Sequence, residues 1–193
     1  MKRIYYVCLA CLAALFVSCA SNPKLAGVDT PAVYVTNTKK VNILSTQNIS
    51  ASMDEVQLFE GNFGDTSFSM PVYIQADESS LYISMLNDVG TSLGELTFSG
   101  NKVDFESSVM PKNLKAEYIV WDIQLVWYDP ESIRERLSHY KLSFDVSSDG
   151  TTETRKIIDG SKVIEEISIK KNYVVIKNLL RGYEYHLTGV GDE

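Results

Sequence analysis

The sequence is poor in the residues that most often carry chemistry in folded proteins. Only three of its 193 residues are cysteines, and all three (Cys8, Cys11 and Cys19) lie within the first 19 positions. The rest of the chain therefore holds no disulfide, no cysteine-ligated zinc or iron–sulfur cluster and no cysteine nucleophile. Only His139 and His186 offer an imidazole, and they lie far apart in the sequence. We therefore expect no metal site and no cofactor.

The sequence motifs of common enzymes are missing as well. There is no Gly-x-Ser-x-Gly elbow, no His-Glu-x-x-His pair and no glycine-rich phosphate loop. We therefore expect a protein that is not an enzyme and has no catalytic residues. Basic residues are also few, since 18 Lys and Arg against 25 Asp and Glu give a formal charge of −7. An acidic chain of this kind is not expected to bind nucleic acid, which needs a basic face.

Residues 1–18 have the features of a bacterial lipoprotein signal peptide. Two basic residues, Lys2-Arg3, precede the apolar run from Ile4 to Phe16, which is too short to span a bilayer as a mature helix. The residues before Cys19 are similar to the lipobox of bacterial lipoproteins, with Phe16 in place of the usual leucine. We predict that Cys19 is lipidated with palmitate or a related acyl chain. The alternative is an ordinary signal peptide cleaved near Ala20.

The charge of the mature chain bears on how the protein is anchored. Removal of the signal peptide leaves 16 basic and 25 acidic side chains, a formal charge of −9. Such a chain is not held on an anionic membrane by charge, so the acyl chains on Cys19 are the expected anchor. No Asp follows the cysteine, a pattern that in enterobacterial sorting resembles an outer-membrane destination. We expect a lipid-anchored protein of the bacterial cell envelope, at the outer membrane and facing the periplasm.

We divide the mature chain into two parts. Residues 19–53 are predicted to be the lipidated cysteine and a tether, because Pro23, Gly27 and Pro31 accompany a weak periodicity. Whether Val33 to Leu44 forms a short helix or an edge strand stays open. Residues 54–193 are predicted to form the folded domain.

Within the folded domain, apolar residues recur at every second position, which is typical of antiparallel strands with one buried face. We predict five strands up to about Phe105 and four or five more from Leu142 onward, with a hairpin turn at Asp159-Gly160. Between these two groups the apolar spacing becomes helical, and Asp129-Pro130 marks the start of a second helix. The prediction is a mainly β fold, in which a helical insertion at about 113–138 covers the concave face of a curved antiparallel sheet of about ten strands.

Three stretches carry a resemblance to a known family. They are residues 58–63 (LFEGNF), residues 81–98 (LYISMLNDVGTSLGELTF) and residues 114–130 (LKAEYIVWDIQLVWYDP). Together they resemble the LolA/LolB family of bacterial periplasmic carriers, and more closely the uncharacterised outer-membrane lipoproteins allied to LolB. The resemblance covers about residues 54–190. One departure is Tyr128-Asp129-Pro130, where the relatives usually run from an aromatic residue directly into proline.

The resemblance implies a half-open β-barrel with a small helical lid and an apolar cavity. The cavity would bind acyl chains of lipoproteins or lipids for transfer or insertion at the outer membrane, with a LolA-like periplasmic carrier as a candidate partner. Val89 matches the protruding apolar residue of the LolB loop, and Leu93 is a second candidate for contact with membrane or cargo. A single exposed valine also needs no function. A different function class is a structural or assembly lipoprotein that docks another envelope protein and binds no lipid.

The predicted cavity is lined by apolar residues of the strands and of the lid. Either these residues surround a ligand or they form a packed core, and the sequence leaves both interpretations open. Asp122 lies among them and, if buried, needs a partner such as a tyrosine hydroxyl, a backbone N–H or Arg134. The candidate lining residues are Met70, Val72, Ile74, Ile83, Met85, Phe98, Phe105, Ile119, Ile123, Val126 and Trp127.

Overall fold

Twelve β-strands and two α-helices make up the described part of the chain, which covers residues 30–63, 66–110, 112 and 114–190 of a computed structural model. Ten strands form one antiparallel sheet and the other two form a small hairpin. The fold is therefore mainly β, as predicted. The large sheet is curved and open, and it does not close into a barrel.

A small hairpin that was not predicted comes first. The elements after it follow the predicted order, with five strands of the large sheet, then both helices, then five more strands. The strands before the helices are β1 (Ala32–Tyr34), β2 (Lys40–Asn42), β3 (Met53–Phe63), β4 (Thr66–Ala76), β5 (Ser80–Leu86), β6 (Ser92–Ser99) and β7 (Lys102–Ser107). The helices are α1 (Ala116–Trp127) and α2 (Pro130–Ser138). The later strands are β8 (Ser143–Ser148), β9 (Glu153–Asp159), β10 (Lys162–Lys170), β11 (Tyr173–Asn178) and β12 (Tyr183–Gly189).

The large sheet consists of two meanders joined through β3 and β12. Its strand order is β7-β6-β5-β4-β3-β12-β11-β10-β9-β8. Phe59 of β3 lies opposite Met70 on one side and Leu187 on the other, so these side chains share one face. The alternation of apolar residues along β4, β5 and β6 places their buried side chains on the same concave face, which α1 covers.

Helix α1 is buried along most of its length. Every residue from Val120 to Val126 is buried, including the polar Asp122 and Gln124. Arg155 of β9 caps the C-terminal end of the helix, since its Nη1 donates to the carbonyls of Leu125 at 3.0 Å and Tyr128 at 3.3 Å. A guanidinium is favourable there because free carbonyls give a helix C-terminus a partial negative charge.

Helix α2 begins as the sequence predicted. The carboxylate of Asp129 accepts a hydrogen bond from the backbone N–H of Ser132 at 2.9 Å, and Pro130 occupies the first helical position. Arg136 near its end points back to the first residues of the fold, donating to the carbonyl of Asn42 at 3.0 Å.

The prediction of a tether over residues 19–53 is wrong for the described residues. Residues 30–49, here called the strap, pack into the core, and Val33, Val41 and Ile43 are at most 1% exposed. Gln124 of α1 fixes the strap from the other side, because its amide accepts from Leu44 N at 2.9 Å and donates to Leu44 O at 2.7 Å. The periodicity looked weak because β1 and β2 have only three residues each. The open choice for 33–44 therefore resolves as short strands.

Candidate functional site

The eleven residues predicted to line a cavity lie in or against one hydrophobic core, which α1 and the sheet form together. Four of them are half-buried, namely Met70, Phe105, Ile119 and Trp127. The other seven are at most 5% exposed, namely Val72, Ile74, Ile83, Met85, Phe98, Ile123 and Val126. The structure thus brings the predicted set together, and its role in holding a ligand stays a prediction.

A row of four aromatic side chains crosses the concave face over the central strands β4, β3 and β12, from a half-buried residue to a buried one. It consists of Phe68, Phe59, Tyr185 and Tyr183. The ring centroids are 4.8 Å apart between Phe68 and Phe59, 5.2 Å between Phe59 and Tyr185, and 5.7 Å between Tyr185 and Tyr183. The first three residues are half-buried and Tyr183 is buried. The row is therefore a continuous series of ring contacts that runs from a half-buried phenylalanine to a buried tyrosine bonded to α1.

The row depends on a glycine in β3. A Cβ atom at Gly61 would lie 2.7 Å from the Cβ of Tyr185 and 2.8 Å from the Cζ of Phe68. Only a residue without a side chain leaves room for the Phe68 ring to lie across this strand. The glycine of the 58–63 stretch therefore shapes the accessible end of the aromatic row.

Two buried carboxylates lie at the inner end of the aromatic row. Asp122 of α1 is 3% exposed and Glu165 of β10 is 1% exposed, and we call them the acidic pair. The hydroxyl of Tyr183 donates to the two carboxylate oxygens of Asp122 at 3.0 and 3.2 Å, and the hydroxyl of Tyr185 also donates to this carboxylate. The amide of Asn178 donates to the Tyr183 hydroxyl at 3.3 Å.

Burial sets the protonation of the acidic pair. It raises the pKa of Asp122 to about 6, against the opposing effect of hydrogen bonds from Tyr185, Glu165 and Tyr183. Burial, and then the charge of Asp122, raise the pKa of Glu165 well above its ordinary value. Because two adjacent buried carboxylates do not both ionise readily, the pair keeps a proton at neutral pH. Burial likewise raises the pKa of both tyrosines, which therefore stay hydrogen-bond donors.

Two polar atoms beside the acidic pair have no hydrogen-bond partner among the described residues. They are Oε1 of Glu165 and Nε1 of Trp121. Trp121 faces Glu165 closely enough to lower its pKa, although the geometry between them does not meet that of a hydrogen bond. Unpartnered buried donors and acceptors are uncommon because each costs free energy in the folded state. These two atoms are therefore the open hydrogen-bonding positions of the acidic cluster among the described residues.

The sequence identified only part of this cluster. It predicted a partner for Asp122 and named a tyrosine hydroxyl among the choices, which the structure confirms. Arg134, another choice, instead donates to Glu131 and to the carbonyl of Phe144. Glu165 was missed because the register of β10 against β9 shifts between Val163 and Glu165, and this irregularity breaks the alternation that would have indicated its face.

The loop between β5 and β6 presents Val89 to solvent. Val89 is 83% exposed, and its backbone N–H donates to the Oδ1 of Asn87 at 3.1 Å. The same Oδ1 accepts from Thr91 N at 2.8 Å, so the loop is held by its own hydrogen bonds. Leu93 is half-buried at the start of β6. Val109, which the sequence did not single out, is 45% exposed after β7, and the hydroxyl of the preceding Ser108 donates to the carbonyl of Leu93 at 2.9 Å. Contact of this tip with membrane or cargo stays a prediction.

The remaining candidates have no comparable surroundings. Cys19 lies outside the described residues. His186 contacts the hydroxyl of Tyr173 at 2.9 Å and the carboxylate of Glu184 at 3.1 Å. Within the described ranges, no three His, Cys, Asp or Glu side chains are arranged to hold a metal ion. In the same ranges, neither helix has the length and apolar character needed to cross a bilayer.

Residues 54–190 match a family model described as "Protein of unknown function (DUF3261)". The match spans both helices and almost all of the ten-stranded sheet, and it includes the acidic pair and the aromatic row. It leaves the strap outside. No curated protein matches the chain.

Proposed function

The chain belongs to the DUF3261 family, and we propose that it is a lipid-anchored, non-enzymatic envelope protein that binds acyl chains of lipoproteins or lipids beneath α1. The binding would serve transfer or insertion at the outer membrane. The observation that carries the proposal is the aromatic row, because it extends from half-buried Phe68 to the buried end of the concave face. An accessible apolar path of this kind suits a long hydrocarbon chain, whose burial contributes about 0.8 kcal/mol per CH₂.

The surroundings of the row support a ligand that varies in shape. Met70 of β4 lies directly opposite Phe59 of β3, and both side chains are half-buried. A methionine side chain adapts to different shapes because it is unbranched and polarizable. Entry of a chain beneath α1 would require the helix to shift, because the helix is buried along most of its length. The lidded sheet, with Val89 at an exposed tip, suits handover of a chain at a membrane.

The proposal is tested by uptake of a fluorescent, esterified acyl chain by the purified lipoprotein. Phe59→Asn places a polar group in the middle of the aromatic row, and we expect it to weaken uptake at least about tenfold. Val56→Asn is the matched control, since Val56 lies on the same strand, points to the opposite face and is 37% exposed. Equal uptake by the two variants would contradict binding along the row, and so would a wild-type protein that takes up no probe.

A second candidate function is docking of another envelope protein without lipid. The observation that favours it is the tight burial of seven predicted lining residues, which is the arrangement of a filled core. In that case the Val89 tip would be a protein contact, and both variants of the uptake experiment would behave alike. A lipid-free protein that captures a partner through this tip would favour docking over carriage.

A further inference from the structure

We infer that the acyl chain beneath α1 ends in an uncharged, hydroxyl-bearing group, and that Asp122 and Glu165 exclude lipids that end in a carboxylate or a phosphate. The inference rests on the proposed function, because it names the end group of the ligand bound at that face. Alcohols and partial glycerides have this chemistry, whereas free fatty acids and anionic phospholipids do not.

The acidic pair lies where the aromatic row ends. The aromatic row begins at half-buried Phe68 and ends at Tyr183, whose hydroxyl donates to Asp122. Tyr185 belongs to the row and also donates to the same carboxylate. A chain that lies along the row with its polar end inward therefore reaches the acidic pair.

One donor and one acceptor beside the aromatic row have no hydrogen-bond partner among the described residues. Nε1 of Trp121 can only donate and has no acceptor among the described residues, while Oε1 of Glu165 has no donor there. Both side chains are at least 97% buried, since their exposed fractions are 3% and 1%. A hydroxyl group accepts one hydrogen bond and donates another, so it satisfies both atoms. A carboxylate has no proton to donate, and a methyl end satisfies neither atom.

The charge around the acidic pair disfavours an anionic ligand. Asp122 of α1 and Glu165 of β10 face each other, and Tyr183 and Tyr185 of β12 face both. The cation whose charge lowers the pKa of Asp122 is Arg181, and Arg181 is exposed. Its guanidinium donates to the carbonyl of Tyr34 and stacks 5.1 Å from the ring centroid of Tyr118. The cluster is therefore negative when ionised, and a second anion in this low-dielectric interior is repelled.

The experiment compares two fluorescent probes that share one saturated chain and end in a hydroxyl or in a carboxylate. At neutral pH we expect the wild-type lipoprotein to bind the alcohol at least about tenfold more tightly than the acid. Asp122→Asn should narrow this ratio to about threefold or less because it removes the charge that repels the acid. Glu165→Gln should narrow the ratio as well, because the amide nitrogen of glutamine can donate a hydrogen bond to a carboxylate. Glu166→Gln is the matched control, since Glu166 follows Glu165 and pairs with Lys156 at 2.9 Å, away from the cluster. It should leave the ratio unchanged.

Three outcomes would overturn the inference. One is an acid that binds the wild type as tightly as the alcohol does. Another is an alcohol-to-acid affinity ratio that stays at the wild-type value in both Asp122→Asn and Glu165→Gln, when cooperative unfolding transitions show that both variants are folded. The third is that neither probe binds the wild-type protein. This result contradicts the proposed function itself, and it differs from the other two because no affinity ratio can then be measured.

Discussion

Replacing Asp122 by asparagine tests the buried acidic pair through the stability of the protein. The pKa of Asp122 rises from 3.8 in the unfolded chain to about 6 in the folded state, chiefly because the carboxyl is buried. Between pH 4 and pH 6 the folded state keeps a proton that the unfolded chain releases. The free energy of unfolding therefore falls as the pH rises through this window. The fall continues above pH 6 because burial also raises the pKa of Glu165.

The magnitude follows from the size of the shift. Two pH units correspond to about 3 kcal/mol, since one unit is worth about 1.4 kcal/mol. Asparagine keeps an oxygen that accepts the hydrogen bonds of Tyr183 and Tyr185 but carries no charge. We expect Asp122→Asn to be within about 1 kcal/mol of the wild type at pH 4 and to be more stable than it by about 2–3 kcal/mol at pH 8.

The assay is urea unfolding followed by tryptophan fluorescence at several pH values. Both tryptophans of the sequence, Trp121 and Trp127, lie on α1, so the signal reports the helix that carries Asp122. Asp145→Asn is the matched control, because Asp145 is an exposed aspartate on β8. Its unfolding curves should follow those of the wild type at every pH.

Two results would refute this reasoning. The first is a wild-type free energy of unfolding that rises with pH between pH 4 and pH 8 relative to that of Asp122→Asn. The second is a variant destabilised by more than about 2 kcal/mol at every pH, which would mean that the charged carboxylate stabilises the fold through its tyrosine bonds.

The remaining predictions concern the tip, the aromatic row and the strap. Val89→Asp should change the free energy of unfolding by less than about 0.5 kcal/mol, since the side chain is 83% exposed, and should weaken binding to phospholipid vesicles. Unchanged vesicle binding would remove the tip from the account. Gly61→Ala should destabilise the protein by about 1–3 kcal/mol in denaturant titrations because its Cβ would collide with Tyr185. A neutral effect would show that the row gives way easily. Gln124→Met should cost about 1–3 kcal/mol and expose the strap to limited proteolysis, because the backbone N–H and the carbonyl of Leu44 both lose their hydrogen bonds to Gln124. Equal resistance to protease would mean that packing alone holds the strap.

Local sequence patterns predicted most of the secondary structure. The two groups of five strands and the helical insertion follow from the change of apolar spacing, and Asp129-Pro130 marked the start of α2. Along β3 the pattern did not indicate which face is buried, because apolar residues occur at both odd and even positions. The structure buries Gln57 at 7% exposure and leaves Val56 at 37%. Pairing with the neighbouring strands decides which face of β3 turns inward, and no property of β3 alone determines it.

The candidate site was predicted only in part, because its members come from distant segments. Asp122 could be recognised as a carboxylate in an apolar run, but its partners Tyr183 and Tyr185 lie 61 and 63 residues further along the chain. The strap was missed for a related reason. Its two strands of three residues are stabilised by contacts with α1 and α2, not by a periodicity of their own.

The central claim is that an acyl chain binds beneath α1, and native mass spectrometry of the lipoprotein purified from membranes tests it most directly. We expect a co-purified neutral lipid in stoichiometric amount that is lost in Phe59→Asn and retained in Val56→Asn. The same spectra report whether Cys19 carries acyl chains. Purified protein that carries no lipid, or lipid that stays bound equally in both variants, would contradict the claim.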